Sequence, residues 1–368
     1  MTWTLARYLF RRSVVGVAIA LAVVAALLLL VDFVEATRNV DSNEVLSGLD
    51  LFRLSLLKLP SLVEQTLPFI LLFAAIGTLN GLNRRSELIA TRAAGVSAWR
   101  YLRPFVWVSL LFGLLWLLVV NPASGEALSL AAEKRAAAAV GDSADNSKRI
   151  WLRDVSDTRR AVIRADSYDP ASRTLGDVTY LGFSRGTDGD TFMNRIDAKS
   201  ATLLTTGYWQ FGDLREWESG SYGPVQDALS VETSLTEREV LDRVESDAQE
   251  RQNLLAVWEL PALIRAQQRA GFSTIFTTMQ FWKLLSLPVL LVAMTIIGAT
   301  VSMRLSREGG AWRLVLTGGV LGFGVFFASV FVEAFGEVGT IPPLVATWTV
   351  PLVALALGLF ALARLEDG

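Results

Sequence analysis

Apolar residues in this chain collect in six helix-length blocks, three near each terminus, and a charged block of short alternating segments separates the two sets. The first block, Ser13 to Val34, holds one charge, Asp32, near its end; the next two run from Leu59 to Leu82 and from Tyr101 to Val120. After the central block come, approximately, Phe276 to Met303, Trp312 to Val332 and Ile341 to Ala363. A helix of roughly 20 apolar residues crosses a bilayer core. Each block meets that length, so the pattern predicts six transmembrane helices. The first block is longer than the apolar core of a signal peptide and lacks an A-x-A-like exit, which favours a retained helix.

The central block, Glu126 to Gly271, has a different period. Glu126 to Val140 is alanine-rich and predicts a helical extension, closed by a turn-rich stretch from Gly141 to Ser147. Strand-like segments follow at Arg149 to Arg153, Arg160 to Ala165, Val178 to Phe183, Met193 to Ile196, Leu203 to Phe211 and Tyr222 to Val231. Turn signals at Asp169-Pro170, Gly186 to Asp190 and Ser219-Gly220 separate them. Regular short strands of this kind predict a small all-β sandwich or jelly-roll-like domain. A helix framed by Pro261 and Gly271, Leu254 to Ala270, closes the block. The expected organisation is therefore residues 1–125 with three membrane helices and a connecting segment at 84–100, a β-rich domain at 126–271, and residues 272–368 with three more helices.

Composition narrows the function classes. Of 368 residues, 52% are hydrophobic and 19% charged, with mean hydropathy +0.41, too apolar for an ordinary soluble protein. A net charge of −2 offers no basic field for nucleic acid. Cysteine and histidine are both absent. That removes disulfides, thiolate metal sites and the commonest general base and metal ligand, so no cofactor or catalytic residue is expected in this chain.

Arginine placement predicts orientation. Arg7, Arg11 and Arg12 precede the first block; Arg84, Arg85, Arg92, Arg100 and Arg103 lie between the second and third with only Glu87 opposing them. Arg304, Arg307 and Arg313, against Glu308, follow the fourth, and Arg364 ends the sixth. With six spans all four segments fall on one side, which basic residues mark as cytoplasmic. Both termini are then cytoplasmic and the β-rich block is external. Glu64, Gln65, Lys283, Glu333 and Glu337 fall near external helix ends, a poor arrangement for an ion pathway. Gly318 and Gly322 have the spacing of a helix-packing motif.

Several stretches carry a resemblance. Arg85 to Ser97, RSELIATRAAGVS, lies between the second and third helices; RYLFRR precedes the first and LVDFVEATR leaves it. KLPSLVEQTLPF leads into the second, WLRD opens the β-rich block, FWKLLSLPVLL begins the fourth and an IPP stretch leads into the sixth. In order and spacing, over essentially the whole chain, these resemble the LptF/LptG family of lipopolysaccharide export permeases, more the LptG branch. The resemblance implies an inner-membrane permease subunit of an ATP-driven exporter. Its partners would be an LptF-like permease, an LptB-like ATPase dimer and an LptC/LptA-like periplasmic β-domain bridge, with lipopolysaccharide as substrate.

The residues fit that role in part. No GxxxxGK[ST] phosphate loop occurs, so nucleotide would have to bind elsewhere. Read as a helix, the 84–100 segment puts Glu87, Ala90 or Thr91, and Ala94 on one side, with Gly95 as its stop. The resemblance places ATPase coupling on Glu87; charge pattern alone reads it as a solvated glutamate among arginines. Lipopolysaccharide phosphates would meet Arg38, which aligns with a head-group region of the family, and Arg53 and Lys58 at the second helix. Interfacial snorkelling is the competing reading of these three. At Asp32 relatives commonly carry a basic residue, so the chain departs from the family there. Competing functions are a membrane lipid hydrolase, against which the absence of histidine and of G-x-S-x-G argues, and a non-transporting scaffold for the β-domain.

Overall fold

The computed structural model describes residues 3–38, 47–138, 150–155, 159–169, 174–186, 189–204, 207–218, 221–235, 255–269, 273–305 and 311–367. The expected turns at Gly141 to Ser147 and Ser219-Gly220 lie outside these residues, as do Val140, Arg149, Pro170, Leu254, Ala270, Gly271, Arg307 and Glu308. The described chain forms two compact units. One comprises Met1–Ala131, Leu254–Arg265 and Thr274–Gly368, the other Ala132–Asn253 and Ala266–Ser273.

Six helices of the first unit are long and apolar enough to cross a membrane. They are α1 (Trp3–Arg38), α2 (Gly48–Arg84), the continuous helix made by α4 (Ala98–Leu115), a π-type turn (Trp116–Val120) and α5 (Asn121–Ala138), then α7 (Ile275–Leu305), α8 (Ala311–Glu337) and α9 (Pro343–Asp367). Two short helices accompany them, α3 (Glu87–Ala93) and α6 (Leu260–Arg269). Two boundaries differ from the sequence expectation for local reasons. Helix α2 starts at Gly48, more than two turns before Leu59, because Ser47 and Asp50 form a reciprocal capping box that satisfies the first backbone donors. Pro60 is consequently inside the helix. The third helix does not stop near Val120 but runs on into the alanine-rich extension. Pro122 has no N–H, and its ring crowds the carbonyl four residues back, so the chain widens there and Asn121 N–H reaches Trp116 O instead.

Packing within this unit is graded. Over its most apolar window 83% of α7 is buried, against 6% for α1 and 11% for α8. Helix α7 is thus the hub and the other two present apolar faces outward. Small residues allow the close approaches: a methyl on Gly298 of α7 would lie 2.7 Å from the Leu72 carbonyl of α2. Gly318 and Gly322 on α8 face Ile76, Leu72 and Phe69 of α2 in the same way, which gives their spacing a packing role.

The second unit is one antiparallel sheet of eight strands among the described residues. They are β1 (Ile150–Val155), β2 (Arg159–Ala165), β3 (Ser167–Asp169), β4 (Thr174–Gly186), β5 (Gly189–Leu204), β6 (Tyr208–Glu218), β7 (Ser221–Tyr222) and β8 (Gln226–Glu232). The order is β1-β2-β4-β5-β6-β7, with β3 on β4 and β8 on β6. The expected strand Leu203 to Phe211 is really the end of β5 and the start of β6, divided at Gly207, whose φ of +78° makes the turn.

A single sheet encloses a core here because it bends along one row. Gly176 pairs with Ser200 and Val178 with Ala198; Ser200 pairs with Gly212 and Ala198 with Leu214. Asp177, Lys199 and Asp213 occupy the row between, and both aspartates have φ of +49°. Asp reaches this left-handed region more readily than most side chains, so it can kink a strand that Val would hold straight. The bend wraps the strands around Ile163, Leu175, Ile196, Trp209, Phe211 and Leu214, all fully buried. Asp154 of β1 then closes the roll, accepting from the Thr233 hydroxyl at 2.6 Å, the Ser234 N–H at 3.2 Å and the Ser234 hydroxyl. On the outer face burial disfavours ionisation of Asp197, but hydrogen bonds from Arg195, Tyr222 and Thr179 outweigh it and hold its carboxyl below the usual range.

Asp213→Val should destabilise the β-unit by about 1–2 kcal/mol through the forced left-handed backbone, whereas Asp213→Gly should cost nothing, because the Lys199 pair at 3.6 Å is solvated. Amide hydrogen exchange across β4 to β6 of the full chain measures both. Equal loss of protection in the two variants would show that the side chain, and not the backbone bend, matters.

Candidate functional site

Helix α3 is where the expected coupling residues meet structure. Arg85 ends α2, Ser86 takes φ +59°, and its carbonyl accepts the first bond of the new helix from Ala90 N–H. After less than two turns the helix stops: Ala94 N–H bonds Ala90 O, Val96 N–H bonds Thr91 O, and Gly95 sits between at φ +77°. Ser97 immediately caps α4 through Arg100 N–H. These closely spaced caps make residues 85–97 a defined elbow rather than a loop.

Burial divides the elbow in two. Leu88 is buried with Leu9, Leu79, Leu82, Tyr101 and Phe105, which seats α3 on the bundle. Ala90, Ala93, Ala94 and Gly95 are exposed together. Glu87 and Thr91, on the same side of the helix as Ala90 and Ala94, are half-buried. The Thr91 hydroxyl bonds the Glu87 and Leu88 carbonyls of its own helix at 3.0 and 2.9 Å.

Glu87 is engaged within the chain. The Tyr8 hydroxyl of α1 lies 2.9 and 3.2 Å from its two carboxylate oxygens and donates to it. Arg12 donates from Nε to the same Tyr8 oxygen at 3.0 Å and lies over the Tyr8 ring, 5.3 Å from its centre. Tyrosine thus bridges a cation and an anion, accepting from one and donating to the other. Helix α3 is tied by this chain to the first membrane helix. Neither Tyr8 nor Arg12 stood out in sequence, where both read as part of a basic stretch; they lie 79 and 75 positions from Glu87, and only packing brings the three together.

At the opposite end of α1 and α2 the remaining candidates are more dispersed. Phe33 and Phe52 touch edge to face at 6.0 Å, so these helix ends are neighbours. Arg38 is exposed in the last turn of α1. Arg53 is exposed and pairs with Asp50 at 3.7 Å one turn earlier on its own helix, while Lys58 is half-buried. No hydrogen bond or ion pair joins any two of them among the described residues. Nearby, Trp116 and Asn121 donate to Glu64 at 3.0 and 3.5 Å, and Asn121 also accepts Val257 N–H at 3.2 Å. Lys283 of α7 pairs with Glu333 of α8 at 2.8 Å. Both glutamates tie helix to helix.

A protein-family model described as Lipopolysaccharide export system permease LptF/LptG matches residues 7–364, nearly the full chain. The chain belongs to this family. No curated protein matches it. A member of LptF/LptG is a multi-pass inner-membrane permease of the lipopolysaccharide export system, a transporter and not an enzyme. Six apolar helices and a separate antiparallel sheet are the architecture that this LptF/LptG chain displays.

The Tyr8 to Glu87 contact has a measurable strength. A hydrogen bond to a charged group is worth about 1.5–3 kcal/mol when shielded, and partial exposure reduces it. A double-mutant cycle of Tyr8→Phe and Glu87→Ala, read from unfolding of the full chain in detergent, should give a coupling energy of about 1 kcal/mol. Strictly additive losses would show that the contact is not made.

Proposed function

We propose that this chain is one permease subunit of an ATP-driven exporter that extracts lipopolysaccharide from the inner membrane and passes it to a periplasmic β-domain bridge. The exposed small-residue face of α3, Ala90, Ala93, Ala94 and Gly95, is the observation that carries the reading. Such a face admits another subunit at close range, and the chain's own sequence holds no phosphate loop. An LptB-like ATPase dimer binds there, with Glu87, Ala90, Thr91, Ala94 and Gly95 at the contact. Leu88 anchors the elbow from below and Tyr8 carries its displacement to α1. No cofactor is needed in this chain.

In this reading both termini and α3 lie in the cytoplasm and the sheet in the periplasm, which the arginine-rich helix ends support. There β1 and β8 each pair on one side only among the described residues, so a strand edge is open to an LptC/LptA-like bridge. A homologous LptF-like permease covers outward apolar faces such as those of α1 and α8, this chain being the LptG-like partner. Arg38, with Arg53 and Lys58 contributing less, meets the phosphorylated head of lipopolysaccharide.

Glu87→Ala is expected to weaken copurification of the ATPase subunit or transport while leaving membrane insertion intact. Full transport with normal ATPase association would refute the assignment. At the other end Arg38→Glu should impair export far more than Arg38→Lys, since the first reverses the charge and the second loses only bidentate geometry. Arg53→Glu is the comparison, with less effect because Arg53 already has Asp50 as a partner. Equal mild phenotypes for the three would leave Arg38 as an interfacial anchor.

A further inference from the structure

Between α1 and α2, at the end of the bundle that carries α3, the helices leave a groove of about 300 Å³. Val15 and Ile19 of α1 and Phe73 of α2 line its walls, and Gly77 and Gly81 form its floor. A methyl built on either glycine meets nothing within 4 Å, so the space is open and not the interdigitated packing found at Gly16, where a methyl would collide with Thr78. Arg12 and Arg85 stand together at the mouth.

Three features say what fits. The groove follows α2 from Phe73 to Arg85, about 18 Å at 1.5 Å per residue, close to half of a hydrocarbon core roughly 30 Å thick. Its depth is that of one leaflet. The walls are apolar, as an acyl chain requires. The mouth lies at the membrane boundary, for no charge follows Arg12 until Asp32. Arg12 spends Nε on Tyr8, and among the described residues no carboxylate pairs with either guanidinium. Two forked cations facing the head-group layer suit a phosphate diester whose charge no cation of its own head group offsets.

We propose that this groove binds one anionic glycerophospholipid of the leaflet on the α3 side, an acyl chain along Gly77 and Gly81 and its phosphate between Arg12 and Arg85. That leaflet is the cytoplasmic one if the orientation given under Proposed function holds, and the inference rests on that reading only for the leaflet's name. The site is distinct from Arg38, which lies 26 residues, about 39 Å, away along the same helix. Because Arg12 also holds Tyr8, lipid at the mouth would set the position of the Tyr8 to Glu87 link.

Native mass spectrometry of the purified full chain, offered phosphatidylglycerol or phosphatidylcholine of matched acyl length, tests this without any transport assay. Phosphatidylglycerol should be retained as one equivalent, roughly tenfold better than phosphatidylcholine, from two cations near the head-group layer. The Arg12→Gln, Arg85→Gln double variant should erase that preference. Gly77→Leu with Gly81→Leu should abolish retention by filling the groove, with the helical content and elution volume of the parent confirming a folded chain. Equal retention of the two lipids, or undiminished retention in the leucine variant, would overturn the proposal. So would displacement of phosphatidylglycerol by inorganic phosphate alone, which would make the site a bare anion patch, or by lipopolysaccharide, which would make it part of the transport path.

Discussion

Burial of one helix organises the membrane unit. Helix α7 is covered on nearly all sides, and α2, α4 and α9 pack on it. In lipid the apolar effect does not drive helices together, so close backbone approach and interhelical hydrogen bonds decide the arrangement. Gly298 supplies the first, against the Leu72 carbonyl. The buried contact between Ser109 of α4 and Thr295 of α7, at 2.6 Å, supplies the second. With these three helices held by the hub, α1 and α8 are left on the outside with apolar faces that lipid or another subunit must cover.

That hierarchy gives the Tyr8, Arg12 and Glu87 chain its meaning. Helix α1 packs along one side only over its apolar middle, and contacts at its ends add to that. One end is held by Leu9 in the buried cluster and by the hydroxyl of Tyr8 on α3. The other meets α2 through Phe33 and Phe52. Between those ends one side of α1 packs on α2 through Val17, Ala20, Leu21, Val24, Ala25 and Leu28, and the other side is left for lipid or another subunit to cover.

The β-unit solves a different problem. Alone, an antiparallel sheet buries one face only if something covers it. Here the Asp177, Lys199 and Asp213 row folds the sheet over its own inner face, and Asp154 fastens the closing edge. Strands β4, β5 and β6 are long because each passes through the bend and contributes to both walls. For this reason the short segments visible as alternation, such as Met193 to Ile196, are fragments of strands like β5.

Six membrane helices, a β-rich insert and the family were legible from sequence, because helix-length apolar blocks and period-two alternation follow directly from bilayer thickness and sheet pleat. Some misread boundaries were also written there: Ser47 and Asp50 spell a capping box, and Pro122 spells a widened turn. Glu87 could be singled out, but its partner could not, since Tyr8 is remote in sequence and its ring is anonymous among basic residues. Likewise nothing in the spacing of Arg12, Gly77, Gly81 and Arg85 says that they share a groove. Local rules determine which segments become helices and strands, whereas the meeting of distant side chains depends on crossing geometry, and only the folded bundle decides that.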